Sequence, residues 1–225
     1  MEIKLLAFSS EEYKEIFDDL FITTIPESLK KELTVTHLDY SGVAGLTSNA
    51  AFKKMSFQKM ESIHNGIKSN IGDVFIWTDT DIVFFRDFKE DILTRIVDYD
   101  ILLMGDTVGF YCAGFMVFRC SEKVLAFWEL VMENYNENNH EKYGYDQAAI
   151  NALIVKSDLI HACLPKQYHF NPIWCNPDNP DDVTNTINAI PNDAFLSHFQ
   201  AVENGWRNKY KIMSETIKRY GKNQV

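Results

Sequence analysis

The sequence predicts an α/β fold. Short apolar runs suited to buried strands alternate with segments of helical spacing in the first hundred residues. Breakers such as Gly72-Asp73 separate them. The length of 225 residues and a hydrophobic content of 46% allow a sizeable core, and 24% charged residues is ordinary for a soluble globular chain.

In chain order, residues 2–8 read as a first buried strand, built on Ile3-Lys4-Leu5-Leu6-Ala7-Phe8. Ser9-Ser10-Glu11-Glu12 offers a helix N-cap with acidic residues in the first turn, for a helix ending near Leu20. Residues 34–38 read as a second strand. Residues 49–70 place Phe52, Met55, Met60, Ile63 and Ile67 at helical spacing, and the strand region 74–85 follows. Further strands are expected at 100–104 and 115–118, and helices at 121–135, 145–155 and 204–220, the last ending at Gly221. Residues 164–182 are rich in Pro, Asn and Asp and read mostly as loop. No internal repeat, low-complexity tract or linker interrupts the pattern, so residues 1–225 are expected to form one domain.

A net charge of −10 argues against a broad nucleic-acid footprint and against docking on an anionic membrane. It does not exclude an anionic nucleotide held by a metal and a few local cations. Cys112, Cys120, Cys163 and Cys175 form no Cys-x-x-Cys pair and no zinc pattern, which suits free thiols in a reducing compartment. Met1 to Phe8 is too short for a signal-peptide core, and no run reaches the length of a membrane span, so the expected location is cytoplasmic.

The chemistry concentrates in Asp79-Thr80-Asp81, a DXD motif inside the apolar run Val74 to Phe85. On one continuous strand the two carboxylates would share a side, where they repel unless a cation or proton intervenes. Hard oxygen ligands at a strand exit suit a divalent ion on a diphosphate. The bland alternative is a polar pair bonded to loop amides. His198, closing Ala194-Phe195-Leu196-Ser197-His198, is a candidate third ligand for a Mn²⁺-like ion, or else a core histidine. Tyr143-Gly144-Tyr145-Asp146-Gln147 opens a helix, where Asp146 either serves the helix dipole or binds sugar hydroxyls with Gln147. Lys53, Lys54 and Lys59, and Arg207, Lys209 and Lys211, are solvated faces or a source of diphosphate contacts. Tyr168, Phe170 and Trp174 are candidates to stack on a sugar, or core.

The order of these motifs resembles the nucleotide-diphospho-sugar transferases of GT-A fold, in particular retaining glycosyltransferases of the family 77-like and family 8-like groups. The segments that carry the resemblance are 77–87, 113–128, 144–153, 164–172 and 196–211. It implies a Rossmann-like mixed central sheet flanked by helices, and transfer of a sugar from a nucleotide diphosphate, UDP foremost, to an acceptor hydroxyl. The acceptor would be a glycan, glycoprotein or glycolipid. Carried over by position, the resemblance makes Asp79, Asp81 and His198 ligands of Mn²⁺ or Mg²⁺, with Asp79 also near the ribose. It places Lys59 on donor sugar or phosphate, Ala113 and Gly114 along the sugar pocket, and Phe8 and Ser9 near the nucleobase. Asp146 would bind donor sugar hydroxyls, Gln147 would sit near the anomeric carbon, and Lys209, or else Arg207, would grip the diphosphate. The chain departs from the family pattern at Cys112, where relatives commonly carry Asn before the Ala/Ser-Gly pair.

Two other readings accompany this one. A haloacid-dehalogenase-type phosphatase also opens on Asp-x-Asp after an apolar strand, and Gly105-Asp106 mimics its later motif, but position 110 is Phe and a βα region precedes the first Asp. A non-catalytic sugar-nucleotide-binding protein on the same fold would accommodate Cys112.

Overall fold

The structure, a computed structural model, describes residues 1–38, 50–106, 110–135, 145–170, 175–176, 178–200 and 206–221. Its main sheet has six strands in the order β2-β1-β3-β6-β5-β7. They are β1 (Ile3–Ser10), β2 (Leu33–Leu38), β3 (Val74–Thr78), β5 (Ile101–Gly105), β6 (Tyr111–Arg119) and β7 (His161–Cys163). A second sheet of three short strands has the order β4-β9-β8, from β4 (Ile82–Phe84), β8 (Tyr168–Phe170) and β9 (Leu196–His198). The main sheet is mixed. β1 pairs in parallel with β2 and β3, and β5 with β7, whereas β6 runs antiparallel to both β3 and β5.

Strand alternation distributes the core. On β3, Val74 and Ile76 face one hydrophobic cluster, and Phe75 and Trp77 face the other. The second cluster is covered by α1 (Ala50–Ser69), α3 (Glu122–Asn134) and α4 (Asp146–Ile154), through residues such as Ile63, Ile67, Val131 and Ile150. The Trp128 indole of α3 donates to the Met60 carbonyl at 2.9 Å, fixing α3 on α1. Ser121 caps α3 by accepting from the Val124 amide. The first cluster lies between the main sheet and the small one. β4 sends Ile82 and Phe84 into it and turns Val83 toward a third cluster, under α5 (Pro180–Ala189) and α6 (Trp206–Gly221). A further helix, α2 (Lys89–Arg95), follows β4 and adds Ile92 to the first cluster.

Several expectations need correction. The region 74–85 is two strands in two sheets, because the chain leaves the main sheet after Thr78 and enters the small one at Ile82. The helix expected after Ser10 is irregular. A 3₁₀ turn, Glu11–Tyr13, is followed by a π-wound segment, Ile16–Phe21, that passes into Ile22–Thr24, and the Ser10 side chain makes no capping bond. The wider winding sends Phe17 and Phe21 into one cluster and Ile16 and Leu20 into another. β6 starts at Tyr111, four residues before its expected start, so Cys112, Ala113 and Gly114 are strand residues. Within 164–182, read as loop, β8 forms and α5 begins. All four cysteines are free thiols, as expected, with Cys163 exposed and the other three buried.

Gly66 lets α1 lie close on β3: a Cβ there would come within 2.4 Å of the Phe75 ring, which is itself 1% exposed. Gly66→Ala is therefore expected to destabilise the fold by about 1–3 kcal/mol through overpacking, read as a lowered midpoint in thermal unfolding.

Candidate functional site

The seam between the two sheets is Asp79-Thr80-Asp81, and backbone pairing on either side positions its carboxylates. Antiparallel register sets Thr78 opposite Phe115, so the Asp79 amide falls beside Gly114 and donates to its carbonyl at 2.7 Å. In the small sheet Ile82 lies opposite His198, and the Phe199 amide donates to the Asp81 carbonyl at 2.9 Å. Asp81 and His198, 117 residues apart, thus meet through strand register, with Nε2 3.0 Å from Oδ1. Ligand atoms of Asp79, Asp81 and His198 all lie within 4.8 Å of one another.

Two lysines balance the carboxylates. Lys59, on α1 and 6% exposed, places its ammonium 3.0 Å from Asp79 Oδ1 and 3.2 Å from Asp146 Oδ2, and donates to the Ala113 carbonyl at 2.8 Å. The Trp77 indole N–H also donates to Asp79 Oδ1, at 2.9 Å, and Phe8 stacks on Trp77 with centroids 5.3 Å apart. Lys209, on the first turn of α6, reaches Asp81 Oδ2 at 2.5 Å, with its ammonium 5.7 Å from the centre of the Tyr13 ring.

The electrostatics follow from burial set against these partners. Burial raises the Asp79 carboxyl above its ordinary range, Lys59 opposes that shift and Asp81 adds to it. Burial acts on Asp81 in the same sense, yet Lys209 and His198 outweigh it and hold that carboxyl below its ordinary range. Burial by itself would lower His198, but Asp81 and Cys112 push it up to about 10. For Lys59 and Lys209, too, burial opposes the charge, and the neighbouring carboxylates outweigh it and raise both.

The sugar-pocket residues expected from the sequence are gathered at the same place. The Ala113 amide donates to Gln147 Oε1 at 3.1 Å, and Gln147 Nε2 donates to Asp106 Oδ2 at 3.1 Å. Asn151, one turn along α4, accepts from the Tyr111 amide at 2.7 Å and donates to its carbonyl at 2.8 Å, which ties α4 to the start of β6. Gly114 is required by His198, since a Cβ would meet the imidazole Cε1 at 2.3 Å. Cys112 Sγ accepts from the Gly114 amide at 3.3 Å and lies 3.3 Å from His198 Nδ1. Ser9 is buried at the end of β1.

Other candidates lie elsewhere. Arg207 stacks on Trp206 and Lys211 pairs with Asp178. Tyr168 is 2% exposed and donates to Asp91 at 2.9 Å, so it is core and offers no face to a sugar. Tyr143, Gly144 and Trp174 lie outside the described residues, as does the Phe170 side chain. Tyr13 beneath Lys209, Asp106 on Gln147 and the contact of Cys112 with His198 were not foreseen. Each partnership depends on strand pairing or helix docking and leaves no local pattern.

Two carboxylates and one imidazole form a hard donor set with a single borderline nitrogen, which fits Mn²⁺ or Mg²⁺. The 3.0 Å between Asp81 Oδ1 and His198 Nε2 also matches two adjacent ligands of an octahedral ion, about 3 Å apart for bonds near 2.1 Å. Gly114→Ala is expected to push the imidazole away from Asp81 and to cost about 1–3 kcal/mol of stability. A crystal structure of the variant and its thermal unfolding check both parts, and an unchanged contact with an unchanged midpoint contradicts the steric argument.

No curated protein sequence matches the chain. Among solved structures, the fold is similar to that of a glycosyltransferase involved in glycosylation of the major capsid of the virus PBCV-1, with TM-score 0.58 and 12% identity over 94% of this chain and 98% of that one. It is also similar to the glycosyltransferase GlyE of Streptococcus pneumoniae, with TM-score 0.55 and 12% identity, covering 99% of this chain and 64% of GlyE. Mouse xyloside xylosyltransferase 1 gives a TM-score of 0.52 at 9% identity, over 88% of this chain and 98% of that one. The architecture is thus the GT-A fold of glycosyltransferases. A sequence model of the nucleotide-diphospho-sugar transferases matches residues 25–217, most of the chain, which therefore belongs to that glycosyltransferase family.

Proposed function

We propose that residues 1–225 act as one domain that transfers a sugar from a nucleotide diphosphate, UDP foremost, to an acceptor hydroxyl, in a metal-dependent reaction with retention of configuration. The observation that carries this reading is the meeting of Asp81 with His198 beside Asp79, next to the Lys59–Asp146 pair. Asp79, Asp81 and His198 would hold Mn²⁺ or Mg²⁺. Such an ion, when bound, supplies Lewis-acid stabilisation to a leaving diphosphate.

The chain's own residues do the rest. Lys59 holds Asp79 and Asp146 at fixed separation, so the diphosphate side and the sugar side of the site keep one geometry. Asp146 binds donor sugar hydroxyls. Gln147 is oriented by the Ala113 amide and Asp106, and presents its side chain near the anomeric carbon. Ala113 and Gly114 line the sugar pocket, Phe8 and Ser9 the nucleobase side. Lys209 contributes positive charge to the diphosphate as negative charge grows there on leaving. Among the described residues no side chain stands out as a covalent nucleophile, which favours a same-face displacement in which the acceptor hydroxyl enters beside the departing diphosphate.

The phosphatase reading requires Asp79 as a free nucleophile, whereas the Trp77 indole and Lys59 both engage its carboxylate. A panel of UDP- and GDP-sugars with Mn²⁺ tests the proposal. At least one UDP-sugar is expected to turn over by transfer or slow hydrolysis, chelation with EDTA is expected to stop it, and Asp81→Ala to reduce it by about 100-fold or more. Absence of donor binding, with nucleotide affinity unchanged in Asp81→Ala, sinks the reading. Phosphate release from generic phosphoesters would favour the phosphatase instead.

A further inference from the structure

Lys59, buried, and Lys209, partly buried, are the two cations at the carboxylates, and they are held differently. Lys59 bridges Asp79, Asp146 and the Ala113 carbonyl. Lys209 makes its ion pair with Asp81 and sits against Tyr13. It belongs to the first turn of α6, where Trp206 is half-buried and Arg207 exposed. α6 is anchored along its length: Trp206, Tyr210, Ile212 and Met213 pack on the third cluster, the Tyr210 hydroxyl donates to Asp19, Arg219 donates to Asn188, and the Tyr220 hydroxyl donates to the Ile190 carbonyl. The Lys209 ammonium therefore leaves Asp81 by rotation of its flexible four-carbon stem, with the helix still docked.

Both oxygens of Asp81 are engaged, one by His198 and the other by Lys209. A divalent cation placed on Asp81 would share that carboxylate with an ammonium 2.5 Å from Oδ2, in a site where burial weakens screening of like charges. A diphosphate arriving with the cation removes the conflict, because it gives the ammonium another anion.

We propose that Lys209 is the internal counter-ion of Asp81 and transfers to the diphosphate on loading, so that the site takes its cation as a complex with a diphosphate rather than as the free ion. This rests on the metal-dependent reading of Asp79, Asp81 and His198 given above. It makes cation and diphosphate binding mutually reinforcing through one side chain, with equal coupling in both directions.

The test is Mn²⁺ binding to the full chain, followed by calorimetry and by electron paramagnetic resonance of the free ion. Wild type, Lys209→Met and Lys209→Gln are compared without and with UDP, with Asp81→Asn as the site-dead control. Wild type is expected to bind Mn²⁺ about tenfold or more tightly once UDP is present. Either Lys209 variant is expected to bind Mn²⁺ alone about tenfold more tightly than wild type, and to gain less from UDP. Circular dichroism establishes that the variants are folded, and the wild-type arm needs no variant. If wild type binds Mn²⁺ equally well without and with UDP, the inference is overturned. If the folded variants bind Mn²⁺ no more tightly than wild type, the counter-ion role is overturned while the metal site stands. If no protein binds Mn²⁺ under either condition, the metal-dependent reading falls and takes this inference with it.

Discussion

The structure depends on one change of sheet. Between Thr78 and Ile82 the chain passes from the centre of the six-stranded sheet into the three-stranded one, and only Asp79, Thr80 and Asp81 make the crossing. Strands on both sides are fully buried, so this short link carries Asp81 into the interior and leaves Asp79 partly buried beside it. A buried carboxylate without a partner is costly, and removing one member of a buried pair typically costs about 3–5 kcal/mol. The link is tolerable because α1 brings Lys59, α6 brings Lys209 and β9 brings His198 to it. Two helices and a strand from distant parts of the sequence are thus positioned by the same charge requirement.

The rest of the site is arranged around β6. That strand is antiparallel to β3, so its first residues lie beside the end of β3, where the seam begins. Cys112 faces the first cluster and Ala113 the second, as alternation requires. Ala113 uses its carbonyl for Lys59 and its amide for Gln147, connecting the metal-type cluster to α4 through one peptide segment. At Gly114 the missing side chain is the space that the His198 ring occupies. Cys112 then lies at the other ring nitrogen, where an Asn of the family pattern would offer an amide in place of a thiol.

Where local pattern determines structure, the sequence was readable. The spacing of Met60, Ile63 and Ile67 identified α1, and Ser121 with its following apolar residues identified α3. The small sheet was not legible, because β4, β8 and β9 are three residues each and gain their stability from non-local pairing. The run from Val74 to Phe85 carries no Gly or Pro, so nothing marked the break at the seam. Asp79 and Asp81 lie in the link between two strands, so their proximity does not come from the alternation of one continuous strand. Their proximity to His198 followed from the resemblance, and its structural cause, the pairing of β4 with β9, was invisible in the residues.

A net charge of −10 repels a nucleotide diphosphate at long range, but global charge is screened over about 8–10 Å in physiological salt. What an anionic donor meets is the local set. Asp79, Asp81 and Asp146 stand against Lys59 and Lys209, with His198 also pushed toward its charged form by Asp81. A divalent ion and a doubly or triply charged diphosphate entering together change the local charge by at most one unit. Either partner entering alone changes it by two or three. The acidic surface then disfavours other polyanions, such as nucleic acid, whose many phosphates exceed the reach of two lysines. Selectivity for a small anion carrying its own cation is thus compatible with the acidic composition: the two site lysines are already paired with carboxylates, so only a ligand that compensates the carboxylates they leave can recruit them.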